Sequence, residues 1–150
     1  MANTFTSLHY HVIFSTKNRE PRIHQDVEQR VWSYLGGIAR ENDMRALVIG
    51  VIENHLHLLL GVAASLSVSQ ALQLIKGGSS GWIKETFQGM DGFAWQDGYA
   101  AFTVSKSQIP EVEECIRGQR EHHRVKSFEE EYRAFLDRHE IGYEEEYVFG

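Results

Sequence analysis

Two apolar segments, Arg45–Ile52 and His55–Val62, are separated only by Glu53-Asn54. A connection that short, with Asn in it, closes a tight turn, so the two segments pair as an antiparallel hairpin. This hairpin constrains the rest of the chain, because every other element has to pack on or beside it. Upstream, Phe5–Thr16 alternates Leu8, Tyr10, Val12 and Phe14 against His9, His11, Ile13 and Ser15, the period of a strand. Between this strand and the hairpin, Val27, Val31, Leu35 and Ile38 recur at helical spacing through about Asn42, weakened by Gly36 and Gly37. Downstream, Val68, Leu72 and Ile75 place a second helix over Ser65–Phe87, with serines as caps and with Gly77, Gly78 and Gly81 expected to bend or loosen it. A Gly-rich connection from Gly89 to Gly98 leads to a fourth strand, Tyr99–Ser105. Helices follow over Gln108–His123 and Phe128–His139, before a tail with Tyr143, Tyr147 and Phe149.

The order β-α-β-β-α-β with two further helices is the α+β, ferredoxin-like split βαβ pattern: an antiparallel sheet with helices on one face, plus C-terminal helices. At 150 residues, 42% apolar and 24% charged, the chain reads as a single domain, residues 1–150, with a core over about 5–123 and a C-terminal helix and tail over about 124–150. That composition excludes a wholly disordered or collagen-like chain. The longest apolar runs, Ala46–Ile52 and Leu56–Ala64, fall far short of the roughly 20 residues of a membrane span. Met1–Phe14 has no basic region followed by an apolar run, so no membrane association and a cytoplasmic location are expected. The single Cys115 rules out an internal disulfide and a zinc site built on paired thiolates.

The net charge of −6 argues at first against a nucleic-acid partner. Its distribution removes that objection. Residues 1–60 carry six basic and six acidic side chains, residues 61–106 three of each, and residues 107–150 six basic against twelve acidic. A neutral body with an acidic last third can still offer a local basic face.

The chemistry-bearing pattern is His55-Leu56-His57. Residues two apart on a strand share a face, so both imidazoles reach one metal ion while Leu56, Leu58 and Leu60 pack the core. A third ligand has to come from elsewhere. Cys115 and Gln119 are four apart on one helical face, and Gln119 offers an amide oxygen; His122 and His123 offer imidazoles instead.

Taken together, Phe14-Ser15-Thr16-Lys17-Asn18-Arg19, Glu53-Asn54-His55-Leu56-His57-Leu58-Leu59, Leu74-Ile75-Lys76-Gly77-Gly78-Ser79-Ser80, Trp95-Gln96-Asp97-Gly98-Tyr99, Phe102-Thr103-Val104-Ser105, Cys115-Ile116-Arg117-Gly118-Gln119 and His122-His123 resemble the single-tyrosine HUH transposases of the insertion sequence 200/605 type, the IS200-like family. The resemblance implies a homodimeric enzyme that binds hairpin-forming single-stranded DNA at element ends and cuts and transfers strands in DNA transposition. It implies a divalent metal, Mg2+ or Mn2+, held by His55, His57 and Gln119, which polarises the scissile phosphate and stabilises the leaving 3′ oxygen. Lys17, Arg19 and Lys76 are the nominated phosphate contacts, with Arg117 and Arg120 as weaker ones. Trp82 and Trp95 are of the type that stacks on bases, although packing suits both as well.

Two positions depart from the family pattern. Its nucleophilic tyrosine, four residues before the glutamine, is here Cys115, and the aspartate that commonly precedes the first histidine is Asn54. A cysteine sulfur stops several ångströms short of a phenol oxygen, and misplacing a reacting atom by about 1 Å costs around 100-fold in rate. A thiolate, of ordinary pKa about 8.5, also leaves phosphorus more readily than a DNA alkoxide, so an adduct collapses back. Neither Tyr99, at a strand entry, nor Tyr132, on the acidic last helix, reads as a substitute. Loss of the aspartate is expected to weaken the orientation of His55. Besides an active transposase, the sequence leaves open a catalytically inactive, transposase-derived DNA-binding protein and a phosphodiesterase using activated water.

Overall fold

The structure, a computed structural model, describes residues 3–122 and 126–150. Its elements are β1 (His9–Ser15), α1 (Glu28–Glu41), β2 (Met44–Ile52), β3 (His55–Val62), α2 (Val68–Thr86), β4 (Ala100–Val104), α3 (Ile109–Arg117), α4 (Gln119–His122) and α5 (Phe128–Arg138), with single 3-10 turns at Lys17–Arg19 and Lys106–Gln108. The strands form one antiparallel sheet in the order β2-β3-β1-β4, the split βαβ arrangement expected from the sequence.

Alternation within the strands decides what each face meets. Val12 and Phe14 of β1 and Leu56, Leu58 and Leu60 of β3 face α1 and α2, which contribute Val31, Leu35, Leu72 and Ile75 to the main core. The opposite face is covered too, because Ile13 packs with Phe128, Tyr132 and Leu136 of α5 while Leu59 packs with Ile109 and Ile116 of α3. The expectation of helices on one face therefore describes α1 and α2, and the C-terminal helices take the other face. On β2 a register shift between Ala46 and Val48 sends Leu47 and Val48 consecutively toward α3, while Ala46 and Ile49 face the main core.

Several boundaries differ from the sequence pattern for local reasons. β1 starts at His9, not at Phe5, which is 89% exposed and lies outside the sheet. α2 runs unbroken through Gly77, Gly78 and Gly81, since Ser67 and Gln70 close a capping box at its start and Leu72, Ile75 and Ile83 bury its inner face. The single helix expected over Gln108–His123 divides at Gly118, where ψ opens to 8°, so Cys115 and Gln119 do not share one helical face. Gly118 lowers the cost of that break, having the weakest helical preference after proline.

The aromatic side chains nominated for DNA stacking are used internally. Trp95 is 5% exposed and its indole N–H donates to Ser79 Oγ at 2.9 Å, while Trp82 stacks on Tyr34 with ring centroids 4.2 Å apart. Tyr132 is buried in the α5 core and Tyr99 packs against the main core, in accord with their reading as packing residues.

Lys76 also turns inward. Its ammonium donates to the carbonyls of Gln96, Asp97 and Gly98 at 2.7, 3.1 and 2.8 Å, which exhausts its three protons. The nominated phosphate contact is instead a clamp on the loop before β4, and desolvation lowers its pKa. Lys76→Met is expected to destabilise the fold by about 1.5–3 kcal/mol, the range for losing hydrogen bonds to a charged group, in a denaturant melt. The same variant should leave the salt dependence of DNA binding unchanged, because no phosphate contact is lost.

Candidate metal centre

His55 and His57 project from β3 on the α5 side of the sheet and are 1% and 2% exposed. Asn54 Oδ1 lies 2.8 Å from His55 Nδ1, so Nδ1–H donates to it and the Nε2 lone pair points into the site. The weakened orientation expected from Asn54 is therefore not observed, because an amide oxygen accepts the same hydrogen bond that a carboxylate would. Gln119 is 3% exposed and its Nε2 lies 2.9 Å from His55 Nε2. Its Oε1 is buried with no hydrogen-bond partner and rests over Gly50 of β2, where any Cβ would collide with it.

His57 meets both α5 and β1. Its Nε2 is 2.7 Å from Glu131 Oε1 on α5, and its Nδ1 is 2.8 Å from His11 Nε2 on β1. Burial, reinforced by the charge of His57, lowers the His11 pKa to about 3, so His11 is a neutral imidazole that either donates to His57 Nδ1 or accepts from it. One donor atom each from His55, His57 and Glu131 lies within 4.8 Å of the others, and all three residues are buried. Two imidazoles, a carboxylate and a buried amide oxygen without a partner fit a divalent cation. With nitrogen donors in the set, Mn2+ suits it better than Mg2+, which prefers oxygen ligands alone.

The structure thus brings His55, His57 and Gln119 together and adds Glu131 and His11, which sequence reasoning missed. His11 shares the face of His57, since Ile13 pairs with His57 and His11 with Leu59, but that register is not readable from the sequence. Glu131 closes the run Glu129-Glu130-Glu131, which reads as a solvated surface until α5 docks. His123 lies outside the described residues, and the His122 side chain is likewise not described.

Cys115 is exposed, unlike the buried histidines and Glu131. It borders a groove of about 330 Å³ whose lining includes His11, Phe102, Phe135, Arg138 and His139. Desolvation and the Glu131 charge raise its thiol above the ordinary range, against a smaller lowering by Arg138. Lys17 is exposed in the turn after β1, and that turn is tied to the His55 end of the hairpin by Thr16 N–H donating to Asn54 O at 2.8 Å. Arg19, in the same turn, pairs with Glu129 at 2.9 Å and lies over the Phe149 ring.

A four-stranded antiparallel sheet presenting two imidazoles of one strand to a glutamine from a following helix defines an α+β protein with a buried His-His-amide centre. Residues 4–119 match the family model described as "Transposase IS200 like", and the chain belongs to that family. It is 26% identical over 119 residues to the ISDra2 transposase TnpA of Deinococcus radiodurans, covering 75% of this chain and 84% of the relative. It is 27% identical over 126 residues to the transposase for insertion sequence element IS200 of Salmonella typhimurium, covering 81% and 82%. Among solved structures it resembles a crystal structure described as a transposase from Deinococcus radiodurans, with a TM-score of 0.60, 25% identity and coverage of 79% and 95%. The fold also matches a REP-associated tyrosine transposase bound to a REP hairpin, with a TM-score of 0.61 at 11% identity and coverage of 82% and 73%. No described helix is long and apolar enough to cross a membrane.

Proposed function

We propose that this chain binds hairpin-forming single-stranded DNA at the ends of an insertion sequence, as a homodimer with a divalent cation at His55, His57 and Gln119, and that it has lost covalent strand cleavage at position 115. The observation that carries this reading is the contrast between buried histidine donors, grouped where they could hold a cation and with Gln119 beside His55, and an exposed thiol, raised above its ordinary pKa, in the place of the nucleophile. A cation bound there supplies Lewis-acid polarisation of a phosphate.

The chain's own residues do the rest. Asn54 fixes the tautomer of His55, and neutral His11 accepts from His57 Nδ1–H when His57 Nε2 is needed as a donor atom. Gln119 Oε1 reaches the site by rotation of its amide, which brings the partnerless oxygen to the His55 side. Lys17 beside the hairpin turn is the phosphate contact nearest this end of the sheet, and Arg19 joins it on release from Glu129. His55, His57, Gln119 and Glu131 are all at most 4% exposed, so a phosphodiester reaches the centre only after a local opening. Dimerisation belongs to the same reading: β2 is an edge strand, bordered by Trp32 at 40% exposure.

Electrophoretic mobility shift with oligonucleotides from the flanks of the coding region tests the reading. The native chain is expected to shift a single-stranded hairpin and not the fully paired duplex of the same sequence, and to sediment as a dimer. Equal affinity for the two forms, or none for either, overturns it.

A further inference from the structure

The family match ends at residue 119, yet one of the donor atoms at the centre comes from beyond it. We infer that Glu131 of α5 is a direct protein ligand of the cation, so that the chain closes its own metal site as a His-His-carboxylate set. This inference rests on the metal centre proposed above and names a further residue in it.

Three observations support it. Glu131 is 4% exposed although it ends a run of three acidic residues of which Glu130 is exposed, so the fold selects one carboxylate and buries it against the histidines. Burying a carboxylate is costly unless a compensating charge and hydrogen bonds meet it. Glu131 meets His57 there at 2.7 Å, and a dication between the two imidazoles would add a compensating charge.

The second observation is distance. Glu131 Oε1 lies 2.7 Å from His57 Nε2, and the donor atoms of His55, His57 and Glu131 lie within 4.8 Å of one another. Ligand atoms about 2.1 Å from one ion stand roughly 3–4.2 Å apart, so a cation enters with side-chain shifts of under about 1 Å. The third is orientation. Gln119 presents its amide nitrogen to His55 and needs a half-turn to ligate, whereas Glu131 already sets a carboxylate oxygen 2.7 Å from His57 Nε2, the nitrogen that would ligate.

Because Phe128, Tyr132 and Leu136 of the same helix pack on the sheet, Glu131 is held by α5 as a whole, and loading the site ties α5 down. Mn2+ titration calorimetry on the full chain, paired with hydrogen exchange of α5, tests this. Glu131→Gln keeps the size of the side chain and removes its charge. It is expected to weaken Mn2+ by about 100-fold, at least the upper end of what loss of an outer-shell partner costs. Mn2+ should slow amide exchange across α5 in the native chain and not in Glu131→Gln. Glu130→Gln, an exposed neighbour on the same helix, should behave as the native chain. Exchange of α5 without metal reports whether Glu131→Gln merely loosens the helix; equal metal-free protection with lost Mn2+ affinity assigns the ligand role. If His57→Ala abolishes Mn2+ binding while Glu131→Gln binds within about 3-fold of native, Glu131 is a packing residue and the metal centre stands. If the native chain binds no Mn2+, the metal centre itself is wrong, and this inference falls with it.

Discussion

Cys115→Tyr is expected to convert a chain that forms no covalent DNA adduct into one that does, on single-stranded oligonucleotides from the flanks of the coding region in Mn2+. The space for a ring exists, since residue 115 borders a groove of about 330 Å³ running past His11 and Phe135 toward the histidine face of the sheet. A phenol there extends the nucleophilic atom by several ångströms, and an error of about 1 Å already costs around 100-fold, so the gain should exceed 100-fold and read as a band against a blank lane on a denaturing gel. The native thiol is handicapped twice over. Partial desolvation in the groove and the Glu131 charge reduce its thiolate fraction at neutral pH, and a thiolate leaves phosphorus more readily than the DNA alkoxide. Adding His57→Ala to Cys115→Tyr should remove the band. Adducts from the native chain would show that sulfur, or another tyrosine, attacks after all. A blank lane for Cys115→Tyr with DNA binding intact would place the loss elsewhere than residue 115.

The second large effect is expected at Gly50. This residue pairs with His57 across the β2–β3 ladder and is buried beneath Gln119 and Ile116. A Cβ there would collide with Gln119 Oε1 and stand 2.9 Å from both Ile116 Cγ2 and the Ile116 carbonyl, which is backbone and cannot rotate away. Gly50→Ala is therefore expected to cost about 1–3 kcal/mol in a denaturant melt, the range for overpacking a core, and to push Gln119 off His55. Gly77→Ala supplies the contrast. Its Cβ would meet nothing within 4 Å on α2, so there the substitution should stabilise the chain by roughly 0.5–1 kcal/mol through helical propensity. Equal effects at the two positions would show that Gly50 is not reserved for Gln119.

The alternation of β1 and the brevity of Glu53-Asn54 were enough to fix the strands, their antiparallel hairpin and the shared face of His55 and His57, because period and turn length are local properties. Helix α1 was readable for the same reason, from Val31 and Leu35 on one face. The grouping of His55, His57 and Gln119 came from the family resemblance rather than from spacing, and the structure brings the three side chains within reach of one another.

What the sequence left undecided was set by long-range packing. The break at Gly118, which turns Gln119 inward and leaves Cys115 exposed, depends on α3 lying against β2, where Gly50 leaves room. Lys76 looked like a free cation until the loop before β4 brought three carbonyls around its ammonium. Glu131 is the clearest case. In sequence it is one more acid in a charged run, and only the burial of Phe128 and Tyr132 against Ile13 turns its carboxylate toward His57, 74 residues away in the chain. The sequence alone thus determined the strand pattern and the shared face of the paired imidazoles, which follow from local periodicity. The carboxylate beside His57, and the closed state of the centre, were decided by the tertiary structure, because the apolar face of α5 buries only against the far side of the sheet.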